Sequence, residues 1–317
     1  MFSLADHWVW DFWTADDGDL FHLYYLHAPK SLGHPDLRHR NARIGHATST
    51  DLVHWTNHGR AFEVGEPGAF DGTATWTGSV VRGPDKTWRM YYTGSRFLSP
   101  DSNANVEAIG VVESADLFNW TKLPGPVSRA DSRWYETLGS SEWPEEAWRD
   151  PWVFADADGR IWHMLVTARA AEGELMHRGV VGHAISADMV HWAAQSPLST
   201  AGHDFAHLEV LQVVLIGGQY YATFSCDTPR LGGRLAGGMG GIWWMRADGP
   251  TGRFDIAGAK LLAPQNLYAG RLVADRAGKW HLMAFDNRVV DGNFLGAIVD
   301  PIPIFVDAAS GDLTLAS

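Results

Sequence analysis

Three similar stretches decide the fold: GHATSTDLVHW at residues 45–55, GVVESADLFNW at residues 110–120 and GHAISADMVHW at residues 182–192. They begin 65 and then 72 residues apart (110 − 45 and 182 − 110). Each is typical of a strand, a polar turn containing Ser and Asp, and a short strand ending in Trp. Self-similarity at such a spacing indicates a repeat architecture.

A second series, of five strands, runs through the same chain. Each strand is apolar and aromatic and follows a turn containing Gly, Asp or Lys, at residues 20–26, 88–93, 161–166, 220–224 and 280–285. Five such units, with no periodic helix longer than a turn or two, predict an all-β chain folded as a five-bladed β-propeller. Closing the blades into a ring protects strand edges that would otherwise invite aggregation.

The predicted propeller occupies residues 1–317 as a single catalytic domain. No C-terminal β-sandwich is expected, because residues 268–317 suffice only for the fifth blade and the closing strand. We expect the blades to begin near five residues, Trp8, Trp76, Pro151, Leu208 and Leu267.

Composition narrows the function. Lys and Arg total 25 and Asp and Glu total 37, so the net charge is −12, which disfavours nucleic acids and anionic membranes as partners. The 16 tryptophans and 34 glycines suit short strands joined by tight turns, and they also suit sugar binding. A single cysteine, Cys226, excludes an internal disulfide framework, and the first residues do not resemble a signal peptide. We therefore expect a cytoplasmic protein.

Cofactor chemistry is not predicted. The chain has no P-loop, no Gly-x-Ser-x-Gly elbow and no His-Glu-x-x-His motif. Its 15 histidines are spread over the blades, so we expect neither a cofactor nor a metal site. The sequence assigns no oligomeric state.

The long loops of the predicted propeller share one face. In an up-and-down blade, the links from the second to the third strand and from one blade to the next lie on the same side. Those links are long, at residues 29–43, 56–75, 96–107, 121–148, 169–177, 193–207 and 227–239, whereas the other turns are short. Binding and catalysis concentrate on such loops, so we expect the site on this face.

Three carboxylates lie where inner strands open onto that face: Asp11, Asp150 and Glu209. They precede the glycine of the following turn by seven, nine and eight residues (18 − 11, 159 − 150 and 217 − 209). Equivalent positions in different blades converge on the central axis, so these groups are predicted to meet. Crowded carboxylates shift each other's pKa values, which suits a glycosidase that needs one protonated and one ionised carboxyl.

The same strand starts resemble those of glycoside hydrolase families 32 and 68, the invertase and levansucrase type propellers of clan J, with family 43 as the nearest relative. Residues 8–13 are similar to the family's Trp-Met-Asn-Asp-Pro-Asn motif, residues 76–79 to its aromatic-Ser-Gly-Ser motif and residues 92–94 to its Tyr-Thr-Gly motif. Its Arg-Asp-Pro triplet is present at residues 149–151. The resemblance covers most of residues 8–226.

The resemblance implies a role for each carboxylate. Asp11 would be the nucleophile, Asp150 the transition-state stabiliser and Glu209 the acid/base of a retaining hydrolase acting on a terminal β-fructofuranoside, with transfructosylation as a further activity. We expect Glu209 to have a raised pKa, because its sequence neighbours are apolar. The predicted partner is an oligosaccharide or a small glycoside, and the candidate contacts are Trp10, Trp76, Ser79, Arg149, Trp152, Tyr268 and Arg271.

Departures from the family pattern keep two alternatives open. Trp10 replaces the family's Asn, Phe12 replaces its Pro, and residues 210–211 replace its Cys-Pro, so the sugar subsite is expected to differ. An inverting arabinofuranosidase or xylosidase of the family-43 type is one alternative. A non-catalytic glycan-binding propeller is the other, although the presence of all three acids argues against it.

Overall fold

The computed structural model describes residues 1–290 and 293–316. Within these ranges it contains five blades, each with four antiparallel strands in sequence order, so the predicted five-bladed propeller is confirmed. Blade 1 contains β1 (His7–Asp16), β2 (Phe21–Pro29), β3 (Arg43–Ser49) and β4 (Thr56–Arg60). Blade 2 contains β5 (Ala74–Arg82), β6 (Trp88–Phe97), β7 (Asn105–Ser114) and β8 (Thr121–Lys122), and β9 (Glu145–Glu146) pairs in parallel with β7.

The remaining blades repeat this order. Blade 3 contains β10 (Trp148–Ala155), β11 (Trp162–Arg169), β12 (Gly179–Ser186) and β13 (Ala193–Gln195). Blade 4 contains β14 (Glu209–Ile216), β15 (Gln219–Cys226), β16 (Gly241–Ala247) and β17 (Lys260–Pro264). Blade 5 contains β18 (Leu267–Ala274) and β19 (Trp280–Asp286), then a separate pair, β20 (Val289–Val290) and β21 (Asn293–Phe294), and finally β22 (Ile302–Val306) and β23 (Leu313–Leu315).

Six short 3₁₀ helices lie in the loops of the described chain. They are η1 (Lys30–Leu32), η2 (Pro35–Asn41), η3 (Leu175–His177), η4 (Thr228–Arg230), η5 (Gly233–Leu235) and η6 (Ile256–Gly258). No helix in the described ranges is long and apolar enough to span a membrane.

The three repeated stretches form the turn between the third and fourth strands of blades 1 to 3. In blade 1, the Asp51 carboxylate accepts the backbone N–H groups of Val53 and His54. Asp116 and Asp188 accept the equivalent pairs in blades 2 and 3. Side-chain and backbone hydrogen bonds from these following residues hold the pKa of all three carboxyls well below the usual range. The repeated sequence therefore encodes one repeated turn.

The same turns join neighbouring blades. The residue after each aspartate has a positive φ and is buried: Leu52 (64°), Leu117 (65°) and Met189 (68°). The Tyr24 hydroxyl of blade 1 donates to the carbonyl oxygen of Leu117 at 2.7 Å, and the Tyr91 hydroxyl of blade 2 donates to that of Met189 at 2.6 Å. The buried hydroxyl and the turn carbonyl satisfy each other across the interface between blades.

Blade 4 departs from the prediction of short turns. The link between β16 and β17 runs over residues 248–259 and includes η6, so it is longer than the equivalent links of blades 1 to 3. Asp255 caps η6 by accepting the N–H of Gly258. Blade 4 also lacks the Ser-Asp repeat, which explains why a different connection forms there.

Every inner strand contains a bulge with one extra residue relative to the second strand, at the equivalent place in each blade. In each case the pairing with the second strand shifts register, between Trp10 and Phe12, Trp76 and Gly78, Arg149 and Trp152, Glu209 and Gln212, and Tyr268 and Arg271. A bulge leaves its residue unpaired and redirects the neighbouring side chains. The five bulges therefore create a ring of irregular backbone around the propeller axis.

Candidate active site

The bulges divide the site into two levels. The outer ring consists of the residues directly before each bulge, nearer the long-loop face: Trp10, Trp76, Arg149, Glu209 and Tyr268. The inner ring consists of the first unpaired residue of each bulge: Asp11, Thr77, Asp150, Val210 and Ala269. Asp11 and Asp150 are equivalent, but Glu209 lies one position earlier. The assumption that all three carboxylates share one blade position is therefore wrong by one residue for Glu209.

Arg149 connects the two rings. Its Nη2 donates to Glu209 Oε1 at 2.9 Å, and its Nε lies 3.8 Å from Asp150 Oδ2. Its Nη1 donates to Glu107 Oε1 at 3.0 Å and to Glu145 Oε1 at 3.2 Å. Burial lowers the pKa of Arg149, but the surrounding carboxylates raise it well above its usual value. A fully charged guanidinium therefore fixes the outer-ring acid relative to the inner-ring acid.

Glu209 is held in its ionised form. The Tyr268 hydroxyl donates to Glu209 Oε2 at 2.6 Å, and His207 Nε2 lies 3.3 Å from the same oxygen. Burial raises the pKa of Glu209, but electrostatic interactions with His207 and Arg149 and the hydrogen bonds from Tyr268 and Arg149 together lower it to about 2. The expected raised pKa of Glu209 is therefore wrong. Its neighbours in space are basic side chains and hydrogen-bond donors, although its neighbours in sequence are apolar.

The inner-ring carboxylates show the opposite behaviour. Burial and the negative charges of Asp150 and Glu209 raise the pKa of Asp11 to about 7, although Thr77 Oγ1 donates to Asp11 Oδ2 at 2.6 Å. Burial also raises the pKa of Asp150, whose Oδ2 accepts from Thr167 Oγ1 at 2.8 Å. The φ of Asp150 is +57°, a strained conformation for a residue other than glycine. Backbone strain and desolvation are thus concentrated in the inner ring.

Arg271 is close enough to influence both inner-ring acids. It is 1% exposed, and its Nη1 donates to the carbonyl oxygen of Leu211 at 2.8 Å. Burial lowers the pKa of Arg271 to about 10, opposed by the negative charges of Asp150 and Asp11. Trp152 packs beside it, with the guanidinium carbon 5.3 Å from the ring centroid. Arg271 therefore places a buried positive charge near both inner-ring carboxylates.

The other predicted contacts occupy different environments. Trp10 is 3% exposed and packs against Arg38, whereas Trp76 is half-buried and its Nε1 donates to the carbonyl oxygen of His39 at 2.8 Å. Ser79 is buried, and its hydroxyl accepts the N–H of Val153 in the next blade at 3.3 Å. The structure thus uses Ser79 to join blades 2 and 3 and does not bring it to the mouth of the site.

Several residues of the site were missed by sequence reasoning. They are Arg38 and His39 of η2, Thr77, Glu107, Glu145, His207 and Asp227. Two carried a usable signal: Glu107 is a charged residue inside the apolar strand β7, and Thr77 lies within the motif at residues 76–79. The others lie in the connections between the blade strands, whose conformation local sequence does not predict.

The comparison with protein families identifies the propeller. A model described as the N-terminal domain of glycosyl hydrolases family 32 matches residues 14–231, which is more than half of the chain. The chain belongs to glycosyl hydrolase family 32. Asp150 and Glu209 lie inside the matched range, and Asp11 lies three residues before it (14 − 11).

Individual relatives are more distant. The chain is 26% identical over 179 residues to fructan 6-exohydrolase of Beta vulgaris, a match covering 55% of this chain and 26% of that protein. It is 28% identical over 214 residues to sucrose-6-phosphate hydrolase of Escherichia coli, covering 65% of this chain and 39% of that protein. The chain therefore spans well under two thirds of the length of these curated relatives.

Among solved structures, an inulosucrase from Halalkalicoccus jeotgali bound to kestose superimposes with a TM-score of 0.80. The match covers 98% of this chain and 87% of that chain at 23% identity. It supports the same five-bladed fold.

Proposed function

We propose that this family-32 chain hydrolyses a terminal β-fructofuranoside with retention of configuration. The observation that carries the proposal is the convergence of three carboxylates at the bulges of the inner strands, where Arg149 joins Glu209 to Asp150 and Asp11 lies in the equivalent position of blade 1. Glycosidases of the retaining type use a pair of carboxyls on either side of the glycosidic bond. The names of the relatives, which include a fructan exohydrolase and a sucrose-6-phosphate hydrolase, support a fructosyl substrate.

The proposed reaction uses the two rings in turn. Ionised Asp11 attacks the anomeric carbon, the glycosidic bond breaks, and the leaving oxygen takes the proton of Glu209. Glu209 then removes a proton from water, which attacks the anomeric carbon, breaks the ester and frees Asp11. Asp150, which lies beside Arg149, stabilises the positive charge that develops on the sugar ring.

This reaction needs a protonation state that is the minority form in the free protein. There the proton resides on Asp11, whose pKa is raised to about 7, while Glu209 is ionised. The productive form carries the same number of protons but places one on Glu209. The reaction requires one proton on this pair of carboxyls, and it stops when the pair gains a second proton or loses the one it has. A plot of kcat/KM against pH is therefore bell-shaped, with limbs set by the two carboxyls.

Product analysis tests the proposal. We expect the purified chain to release fructose from sucrose or a short fructan, with nuclear magnetic resonance showing the β-anomer first. The Asp11→Ala variant is the matched control, since it keeps the loops but lacks the proposed nucleophile. Release of the α-anomer first would instead support an inverting mechanism. Sugar binding by the parent without turnover on any furanoside would support a glycan-binding propeller.

Two finer proposals accompany the first. We propose that fructosyl transfer competes with hydrolysis at high sucrose concentration, which longer oligosaccharide products would demonstrate. We also propose a reducing compartment such as the cytoplasm, in keeping with the single, buried Cys226 thiol. Cell fractionation tests this, and recovery in an oxidising compartment would contradict it.

A further inference from the structure

Three residues of metal-ligating type meet beside Glu209. β14 pairs with β15 through Glu209 and Ser225, so His207 and Asp227, each two residues further out, face each other where the hairpin opens. A ring nitrogen of His207, Sγ of Cys226 and a carboxylate oxygen of Asp227 all lie within 4.8 Å of one another. Residues distant in sequence are thus brought together by strand register.

Several polar atoms of His207 and Asp227 make no hydrogen bond within the described part of the chain, although His207 Nε2 lies 3.3 Å from Glu209 Oε2. His207 is 4% exposed, yet neither of its ring nitrogens has a hydrogen-bond partner there, and Oδ1 of Asp227 has none either. The fully buried Cys226 Sγ donates to the carbonyl oxygen of Arg230 at 3.6 Å. Buried polar atoms without partners are costly, so a ligand that bonds His207 and Asp227 would be stabilising.

We propose that His207, Cys226 and Asp227 bind zinc or another thiophilic divalent cation. Imidazole nitrogen, thiolate sulfur and carboxylate oxygen are the ligands that zinc uses in proteins. Ligand atoms of one tetrahedral zinc lie roughly 3–4 Å apart, and the distance between His207 Nε2 and Asp227 Oδ1 is 3.6 Å. Arg230 orients the aspartate by donating to its other oxygen at 3.3 Å.

Binding would follow ordinary zinc chemistry. The Cys226 thiol releases its proton to solvent and its sulfur forms a bond to the metal, with no change of oxidation state. Three protein ligands leave a fourth position for water. This proposal departs from the expectation that the dispersed histidines form no metal site, since the required neighbours were a cysteine and an aspartate.

The position of the ion gives it a consequence for catalysis. His207 Nε2 is 3.3 Å from Glu209 Oε2, so a bound ion would lie next to the proposed acid. The ion and the water at its fourth position occupy space beside Glu209, where the leaving group of a bound fructoside would lie. Zinc therefore inhibits the enzyme. This consequence rests on the proposed function, whereas binding itself does not.

Cobalt spectroscopy on the full chain tests binding independently of activity. We expect Co²⁺ to produce an intense near-ultraviolet thiolate charge-transfer band that Zn²⁺ abolishes by competition. Cys226→Ser should remove this band, and Asp227→Asn should weaken binding at least about 10-fold. His191→Gln is the matched control, because His191 and Asp188 form an exposed pair 2.7 Å apart without a cysteine.

The outcomes separate the two proposals. Absence of the thiolate band in the parent, or an unchanged band in Cys226→Ser, overturns the metal site. If the serine variant does not fold, calorimetric Zn²⁺ titration of Asp227→Asn decides, and unchanged affinity overturns the site. Reversible inhibition by Zn²⁺, restored by a chelator and at least about 10-fold weaker in Cys226→Ser after normalisation to its rate without zinc, supports the consequence. A thiolate band without turnover on any fructoside contradicts only the proposed function.

Discussion

The outer and inner rings of the site contain the same functional group in opposite environments. In the outer ring, the Glu209 side chain is 21% exposed and receives hydrogen bonds from Arg149 and Tyr268. In the inner ring, the Asp150 side chain is 4% exposed, and Asp11 lies near two other carboxylates. The rings are one residue apart along each strand. A step of one residue along the strand thus distinguishes a carboxyl that is stabilised as an anion from one that is destabilised as an anion.

The two rings differ in how their negative charges are compensated. The inner ring concentrates negative charge where it is poorly solvated, a cost that developing positive charge on a substrate would relieve. The outer ring uses Arg149 to compensate Glu209 and to position it relative to Asp150. The comparison predicts that substitutions in the two rings will differ both in rate and in stability.

The largest expected effect comes from the inner ring. We expect Asp11→Asn to lower turnover about 10⁴-fold or more, because no other described group at this position can form the fructosyl ester. Steady-state assays on a fructoside measure it. Asp19→Asn is the control, since Asp19 lies in the turn beyond the far end of the same strand β1. A variant of Asp11 that works at nearly the parental rate would remove Asp11 from the mechanism.

The second effect distinguishes the outer ring. Glu209→Gln should lower turnover about 10²–10⁴-fold on a natural fructoside, because the leaving oxygen then receives no proton. On a fructoside with an activated aryl leaving group, the first step needs no proton, so formation of the covalent intermediate should be nearly normal. Rapid-mixing measurements of aryl release compare the two substrates. Equal losses on both would show that Glu209 does not act as an acid.

Sequence patterns predicted the blades well because the decisive signals were local and repeated. The Ser-Asp turns at residues 45–55, 110–120 and 182–192 are encoded by neighbouring residues and recur in three blades. The position of the inner strands and the meeting of three carboxylates followed from this repeat. Blade 4, which lacks the repeat, is the blade whose long turn was not predicted.

The two-ring arrangement was not predictable in the same way. Counting from a glycine turn treats Asp11, Asp150 and Glu209 as equivalent, whereas the bulges, visible only in strand register, place Glu209 one residue earlier. The pKa of Glu209 depends on His207, on Arg149 from another blade and on Tyr268 from a third. Such contacts arise from closure of the ring, so neighbours in sequence predicted the wrong direction.

A third, smaller effect concerns stability. The raised pKa of Asp11 destabilises the folded chain as pH rises from about 4 towards 7, so Asp11→Asn should gain about 1–2 kcal/mol in unfolding free energy at pH 8 and little at pH 4. The lowered pKa of Glu209 stabilises the fold above about 4.5, and this contribution is lost as pH falls towards 2. Glu209→Gln should therefore lose about 1.5–3 kcal/mol at neutral pH. Denaturant titrations at both pH values check these opposite signs.

The smallest effect isolates one contact of the outer ring. Tyr268→Phe removes the hydroxyl that donates to Glu209 at 2.6 Å, so the pKa of Glu209 should rise by about one unit. In the bell-shaped profile of kcat/KM, the acidic limb belongs to Glu209 and the basic limb to Asp11. The substitution should therefore move the acidic limb to higher pH.

The basic limb provides the control within the same experiment. Tyr268 is not among the principal groups that set the pKa of Asp11, so that limb should stay near pH 7. Thr77→Val removes a hydrogen bond that lowers the pKa of Asp11. It should therefore move the basic limb to higher pH and leave the acidic limb in place. If both substitutions moved the same limb, the two carboxyls would titrate as one shared site. The separation of the rings would then be geometric without being electrostatic.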